Sequence, residues 1–235
     1  MAGGVLAAGS ARRDCGLRPA RPLLPVRSNA TVSYLVEPQP SSDHPEVARL
    51  HNDDRARMGY VANYTKVFAL TPDVYEAWAR LSATIRAGMD LHRYELATFA
   101  AARRLRSSYC SLAHGMLLRQ KFHDATTVGQ IALDHHGSGL DEADVAVMDF
   151  AEKVAREAPR ITAADVEALR ERGLSDVDIF QVVLAAAARC FFSTVLDAVG
   201  AEPDAEYRTL VEPELQAVLA VGRPIAYPKA VPARV

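Results

Sequence analysis

One segment constrains this fold more than any other. From Asp176 to Val199 the apolar residues Ile179, Val182, Val183, Ala186, Ala187, Cys190, Phe191 and Leu196 recur at helical spacing and cover the helix nearly all round at its centre. A helix of that kind has to be enclosed by others, and it is expected to be the most buried element. Ser175-Asp176-Val177-Asp178 is a capping-box-like start, with Asp standing in for Glu. Arg189 sits in the middle of this apolar run and needs a carboxylate partner if buried.

The rest of the chain from about Asp43 has the same character. Asp43-His44-Pro45-Glu46 and Thr71-Pro72-Asp73 each place proline at a helix start, and the second helix runs through Trp78, Leu81 and Ile85 to Gly88. Asp90 to Arg106 follows, then a helix capped by Ser107-Ser108 that extends towards Phe122. A loop at Asp134–Gly139 leads into Asp141–Glu157, where Val145, Met148, Ala151 and Val154 keep helical spacing. Thr162-Ala163-Ala164-Asp165 opens another helix, and Gly173 separates it from the apolar one as a C-cap. A last helical stretch spans Pro203 to Val221, interrupted at Pro213. No strand-like alternation of useful length is present, so the expected fold is all-α.

At 235 residues and 49% hydrophobic content, the chain can bury a full core as one domain or two tightly packed halves. The domain is expected over residues 36–222, with a C-terminal tail at 223–235. Residues 1–35 carry Arg12, Arg13, Arg18, Arg21 and Arg27 against Asp14, and read as a disordered or poorly ordered tail. A transit segment and a start site assigned too far upstream are the alternatives. A formal net charge of −2 gives no reason to expect nucleic acid or an anionic membrane as partner. No run of about 18 apolar residues suggests a membrane span. Cys15, Cys110 and Cys190 are too scattered for a disulfide framework or a zinc cluster, and a cytoplasmic setting is the default. His135-His136 beside Asp134 reads as a polar loop, because adjacent residues rarely point at one ion. No metal or cofactor is expected.

The chemistry concentrates in Glu95, Cys110 and His114. Cys110 and His114 are one helical turn apart and share a face. Cys110 lies in the first turn, where backbone N–H groups and the helix dipole favour a thiolate. An imidazole one turn on can take the thiol proton, and Glu95, one helix upstream, can close the relay. Cys190, on the apolar helix, reads as packing.

Glu95, Ser107, Cys110 and His114 match the spacing of the AhpD-like alkylhydroperoxidase and carboxymuconolactone decarboxylase superfamily, whose signature resembles E-x11-C-x-[YH]-C-x3-H. Met58-Gly59-Tyr60-Val61-Ala62-Asn63 is similar to the GYVPN segment of its peroxidase-related branch. Gly173-Leu174-Ser175-Asp176 with Val182–Arg189 resembles that branch's closing helix. The resemblance covers roughly residues 43–222 and implies an AhpD-like helical fold.

It also implies roles. Cys110 would attack peroxide, His114 and Glu95 would form the proton relay, and Tyr109 could hydrogen-bond within it. Ser107 stands where the resolving cysteine is usual, and a hydroxyl cannot form that disulfide. The expectation is a thiol-dependent peroxidase acting on small organic hydroperoxides, with an external thiol or redox partner protein as reductant. The alternatives are acid–base chemistry of the carboxymuconolactone decarboxylase type and a catalytically degenerate helical oligomer. The resemblance further implies a homo-oligomer, a trimer or a hexamer built from trimers.

Overall fold

The computed structural model describes residues 31–41 and 43–228. Proline at the first helical position starts α1 (Pro45–Met58), and the short α2 (Asn63–Phe68) follows. Proline again starts α3 (Pro72–Ala87), and the Asp90 side chain caps α4 (Leu91–Arg104) by accepting from Arg93 N–H. Arg106, at φ 57°, then turns the chain into α5 (Ser108–Lys121). Asp124 caps α6 (Ala125–Leu133), and a 3-10 turn at His135–Gly137 leads to α7 (Glu142–Glu157), capped by Asp141. Both expected capping boxes form, Thr162 with Asp165 at α8 (Ala163–Arg170) and Ser175 with Asp178 at α9 (Asp176–Ala198). Two short helices, α10 (Tyr207–Leu210) and α11 (Pro213–Leu219), close the chain. No strand occurs among the described residues. The fold is all-α, as expected.

The most enclosed helix is α4, not α9. Nine consecutive residues, Tyr94–Ala102, are buried, because α5, α7 and α9 all pack on it. Its alanines at 97, 100, 101 and 102 let those neighbours approach from every side. By length and composition α9 is apolar enough to cross a membrane, yet it packs on α3, α4 and α7. It also leaves Val177, Phe180 and Phe191 exposed. Periodicity alone could not tell these two helices apart, since α4 is enclosed through small residues rather than large ones.

The packed chain extends beyond the expected domain limits. Val32 is buried, Glu202 N–H donates to its carbonyl at 3.2 Å, and Tyr34 N–H donates to the Val199 carbonyl at 2.8 Å. At the other end Ile225 is buried, and Ala226 N–H donates to the Pro203 carbonyl at 2.9 Å. These extensions are held by backbone hydrogen bonds, which leave no periodic signature in the sequence. The tail reading for residues 1–30, Cys15 included, lies outside the described residues, as do residues 229–235.

Candidate active site

Glu95 on α4 and His114 on α5 meet in the buried seam between their helices. His114 Nδ1 lies 2.6 Å from Glu95 Oε2 and 3.1 Å from Thr98 Oγ1. Thr98 donates its own proton to the Tyr94 carbonyl at 2.7 Å, so it can only accept from the ring. These partners place the imidazole proton on Nδ1 and leave Nε2 as the base. Burial and the charge of Arg189 hold the His114 pKa below its ordinary 6.5, outweighing the attraction of Glu95. Burial opposes ionisation of Glu95, but His114, Arg86 and Arg189 outweigh it and hold the carboxyl below its ordinary range. A neutral imidazole on an ionised carboxylate is a competent base–orienter pair.

Cys110 lies in the first turn of α5, as expected, and is 1% exposed. Its hydrogen-bond partner is Arg189 on α9, whose Nη1 donates to Sγ at 3.4 Å. Among the described residues no hydrogen bond joins His114 to Sγ. His114 turns towards α4 to meet Glu95, and the guanidinium fills the place beside the sulfur. Arg189 is thus the residue that sequence reasoning underread. It has a thiol and the ring of Phe192, 5.5 Å from its carbon, where a direct carboxylate partner was expected. The signal was present, a lone charge inside an apolar helix.

Tyr109 also departs from expectation. Its hydroxyl donates to Asp204 Oδ2 at 2.7 Å and accepts from Tyr64 N–H at 3.2 Å, away from the Glu95–His114 pair. Asp204 further accepts from Asn63 N–H at 2.6 Å and Tyr60 O–H at 3.4 Å. Burial pushes this carboxyl up to about 6 despite those bonds. The segment Met58–Asn63 is therefore tied to α5 through Asp204. Nothing in the local sequence marked Asp204.

Ser107 occupies the N-cap position of α5, but its side chain makes no capping bond. Ser108 Oγ instead accepts from Gly222 N–H at 2.7 Å, clipping the C-terminal segment onto the start of α5. Cys190 is half-buried, and burial pushes its thiol up, which weakens it as a nucleophile.

A cavity of about 330 Å³ opens beside the buried pair. Glu95, His114 and Arg189 line it together with Arg57 and Arg86, and Tyr64, Tyr75, Trp78 and Phe192 supply aromatic walls. Trp78 and Phe192 stack with centroids 4.0 Å apart. Cys110 is not part of the lining, and Arg189 stands between the cavity and the sulfur.

Solved structures share this architecture. An uncharacterized peroxidase-related protein from Ralstonia eutropha JMP134, described as an alkylhydroperoxidase AhpD core, superposes with TM-score 0.67 at 23% identity over 75% of this chain and 94% of that one. A peroxidase-related protein from Silicibacter sp. TM1040 gives 0.68 at 24% identity, over 74% and 93%. The fold is AhpD-like. The debrominase Bmp8, in complex with 2,3,4-tribromopyrrole, shows the same AhpD-like architecture at TM-score 0.61 and 16% identity, over 79% and 95% of the two chains. No family model and no curated protein matches the sequence.

Proposed function

We propose that this chain is a thiol-dependent oxidoreductase that reduces small organic hydroperoxides through a single motif cysteine. The observation that carries this reading is Arg189, whose guanidinium both lines the cavity and donates to Cys110 Sγ. A fixed positive charge there stabilises the negative charge that develops on peroxide oxygens and on the departing alkoxide. In this reading the Arg189 side chain shifts to admit cavity water and peroxide to the sulfur, and the Cys110 proton passes through that water to His114 Nε2. The thiolate attacks the terminal peroxide oxygen, forming an S–O bond as the O–O bond breaks. The alkoxide leaves with the electron pair and takes a proton from the imidazolium. Sulfur is oxidised to sulfenic acid, and the hydroperoxide is reduced to an alcohol. One external thiol then displaces water to form a mixed disulfide, and a second releases Cys110 as thiol. No cofactor enters this cycle. The aromatic walls suit an organic rather than an inorganic peroxide.

The test is cumene hydroperoxide consumption with dithiothreitol as reductant, alongside dimedone trapping of sulfenic acid at Cys110. Cys110→Ser should abolish both. Peroxide loss that persists in Cys110→Ser would remove the cysteine from the mechanism.

A second reading is favoured by one observation. Cys110 is shut away from the cavity, whereas Arg57, Arg86, Arg189 and His114 line it. Three guanidinium groups around one base suit acid–base chemistry on an organic anion, such as decarboxylation of a lactone acid. On that reading Cys110→Ser retains activity and His114→Asn loses it.

A further inference from the structure

The 3-10 turn His135–Gly137 lies between α6 and α7, away from the Glu95–His114 seam. Asp134 caps it, accepting from His136 N–H at 3.1 Å, and Ser138 Oγ donates to the His135 carbonyl at 2.8 Å. Closed in this way, the turn holds its two imidazoles side by side with ring centroids 4.6 Å apart. Adjacent histidines were expected to diverge. Here both Nε2 atoms aim at one atom, Asp149 Oδ1 on α7, at 2.9 and 3.0 Å. The three atoms lie within 4.8 Å of one another.

That triangle has the dimensions of a coordination face. Zinc binds imidazole nitrogen and carboxylate oxygen at about 2.0–2.2 Å, so neighbouring ligands of one ion stand roughly 3–3.5 Å apart. We propose that His135, His136 and Asp149 form a binding site for a divalent transition-metal ion of the zinc type, separate from the candidate active site. The ion takes the place of the Nε2 protons that face Asp149, each neutral ring carrying its proton on Nδ1 instead, so that two nitrogens and one oxygen bind it and its outer positions are left to water. His135, whose side chain is 12% exposed, is the anchored ligand, while His136 and Asp149 stay open to solvent. Glu152 lies one turn further along α7, in electrostatic reach of both imidazoles and of Arg103, although burial opposes its ionisation. Two neutral imidazoles with a carboxylate suit borderline divalent ions better than calcium or magnesium, which prefer an all-oxygen set.

The test titrates the full chain with zinc chloride alone, by calorimetry, after Cys15 and Cys190 are changed to serine so that their thiols do not compete. One equivalent should bind in the micromolar range, and zinc-edge X-ray absorption should show a nitrogen and oxygen shell without sulfur. His136→Ala and Asp149→Asn should each weaken binding by about tenfold or more. Both side chains are exposed, so the far-ultraviolet circular dichroism should not change. No binding, a sulfur-containing shell, or affinity unchanged in both variants would overturn the proposal and leave the cluster as a hydrogen-bonded surface turn.

Discussion

Arg189 Nη1 donates to Cys110 Sγ at 3.4 Å, and both residues are buried. A guanidinium does not give up its proton, so Arg189 presents a fixed positive charge to the sulfur. Arg189→Met removes the positive charge while keeping much of the volume. Cys110 oxidation by cumene hydroperoxide should slow by at least about tenfold, or about 1.4 kcal/mol of barrier, with Arg189→Lys falling between. Stopped-flow sulfenic acid trapping measures it. An unchanged rate in Arg189→Met would show that the guanidinium only fills space.

Asp204 and His114 drive the pH dependence of stability in opposite directions. Burial raises the Asp204 carboxyl from 3.8 to about 6, so the folded chain holds this proton more tightly than the unfolded one. The stability it contributes is complete below its unfolded value and is lost as pH rises through about 6, up to about 3 kcal/mol in all. Burial and Arg189 lower His114, so its contribution is lost instead as pH falls below 6.5. Asp204→Asn removes only the first effect. Urea unfolding from pH 4.5 to 7.5 should show the variant gaining on the natural protein as pH rises. A constant difference would mean that Asp204 ionises normally.

Ser107→Cys should restore a disulfide to Cys110, since a three-residue offset at a helix start suits the Cys-x-x-Cys geometry. Under mild oxidation the variant should lose two free thiols relative to its reduced form. Thiol titration and peptide mapping read the outcome. If both thiols stay free, the burial of residues 107 and 110 closes the site to oxidant.

Gly222→Ala should destabilise the fold from a position remote in sequence. A Cβ at Gly222 would stand 2.2 Å from the Arg106 carbonyl oxygen, in the turn that starts α5. Backbone has to give way, at a cost of about 1–3 kcal/mol. Thermal unfolding followed by circular dichroism should show a lowered Tm, and an unchanged Tm would mean that the segment after α11 shifts freely.

Val74 and Leu81 on α3 and Phe191 on α9 are exposed along one apolar face. We expect this face to close in a homo-oligomer, with a trimer or a hexamer built from trimers favoured by the sequence resemblance. Light scattering on the full chain tests this, and Leu81→Asp should lower the mass. A monomeric mass for the natural chain would refute it.

Helix starts were legible because caps act within four residues. Asp90, Asp141, Thr162 and Ser175 all begin helices where local chemistry places them. The short helices α2 and α6 were not anticipated, since six and nine residues hold too little periodicity to separate from loop. The pairing of Glu95 with His114 was legible from spacing, and their hydrogen bond is consistent with it. Tyr109 was read as able to join that relay, and its hydroxyl instead meets Asp204, 95 residues further on, a partner that local spacing could not show.

By itself the sequence determined what repeats locally: an all-α chain, most of its helix boundaries, and a cysteine and a histidine one turn apart on α5. Only the tertiary structure decided what faces them. Arg189 reaches Cys110 across 79 residues, Asp204 draws Tyr109 away from the base, and Asp149 gathers two neighbouring histidines onto one oxygen. Local spacing encodes which residues share a face of a helix. Which helix that face meets depends on burying the apolar surface of the whole chain at once, and no short stretch of sequence carries that balance.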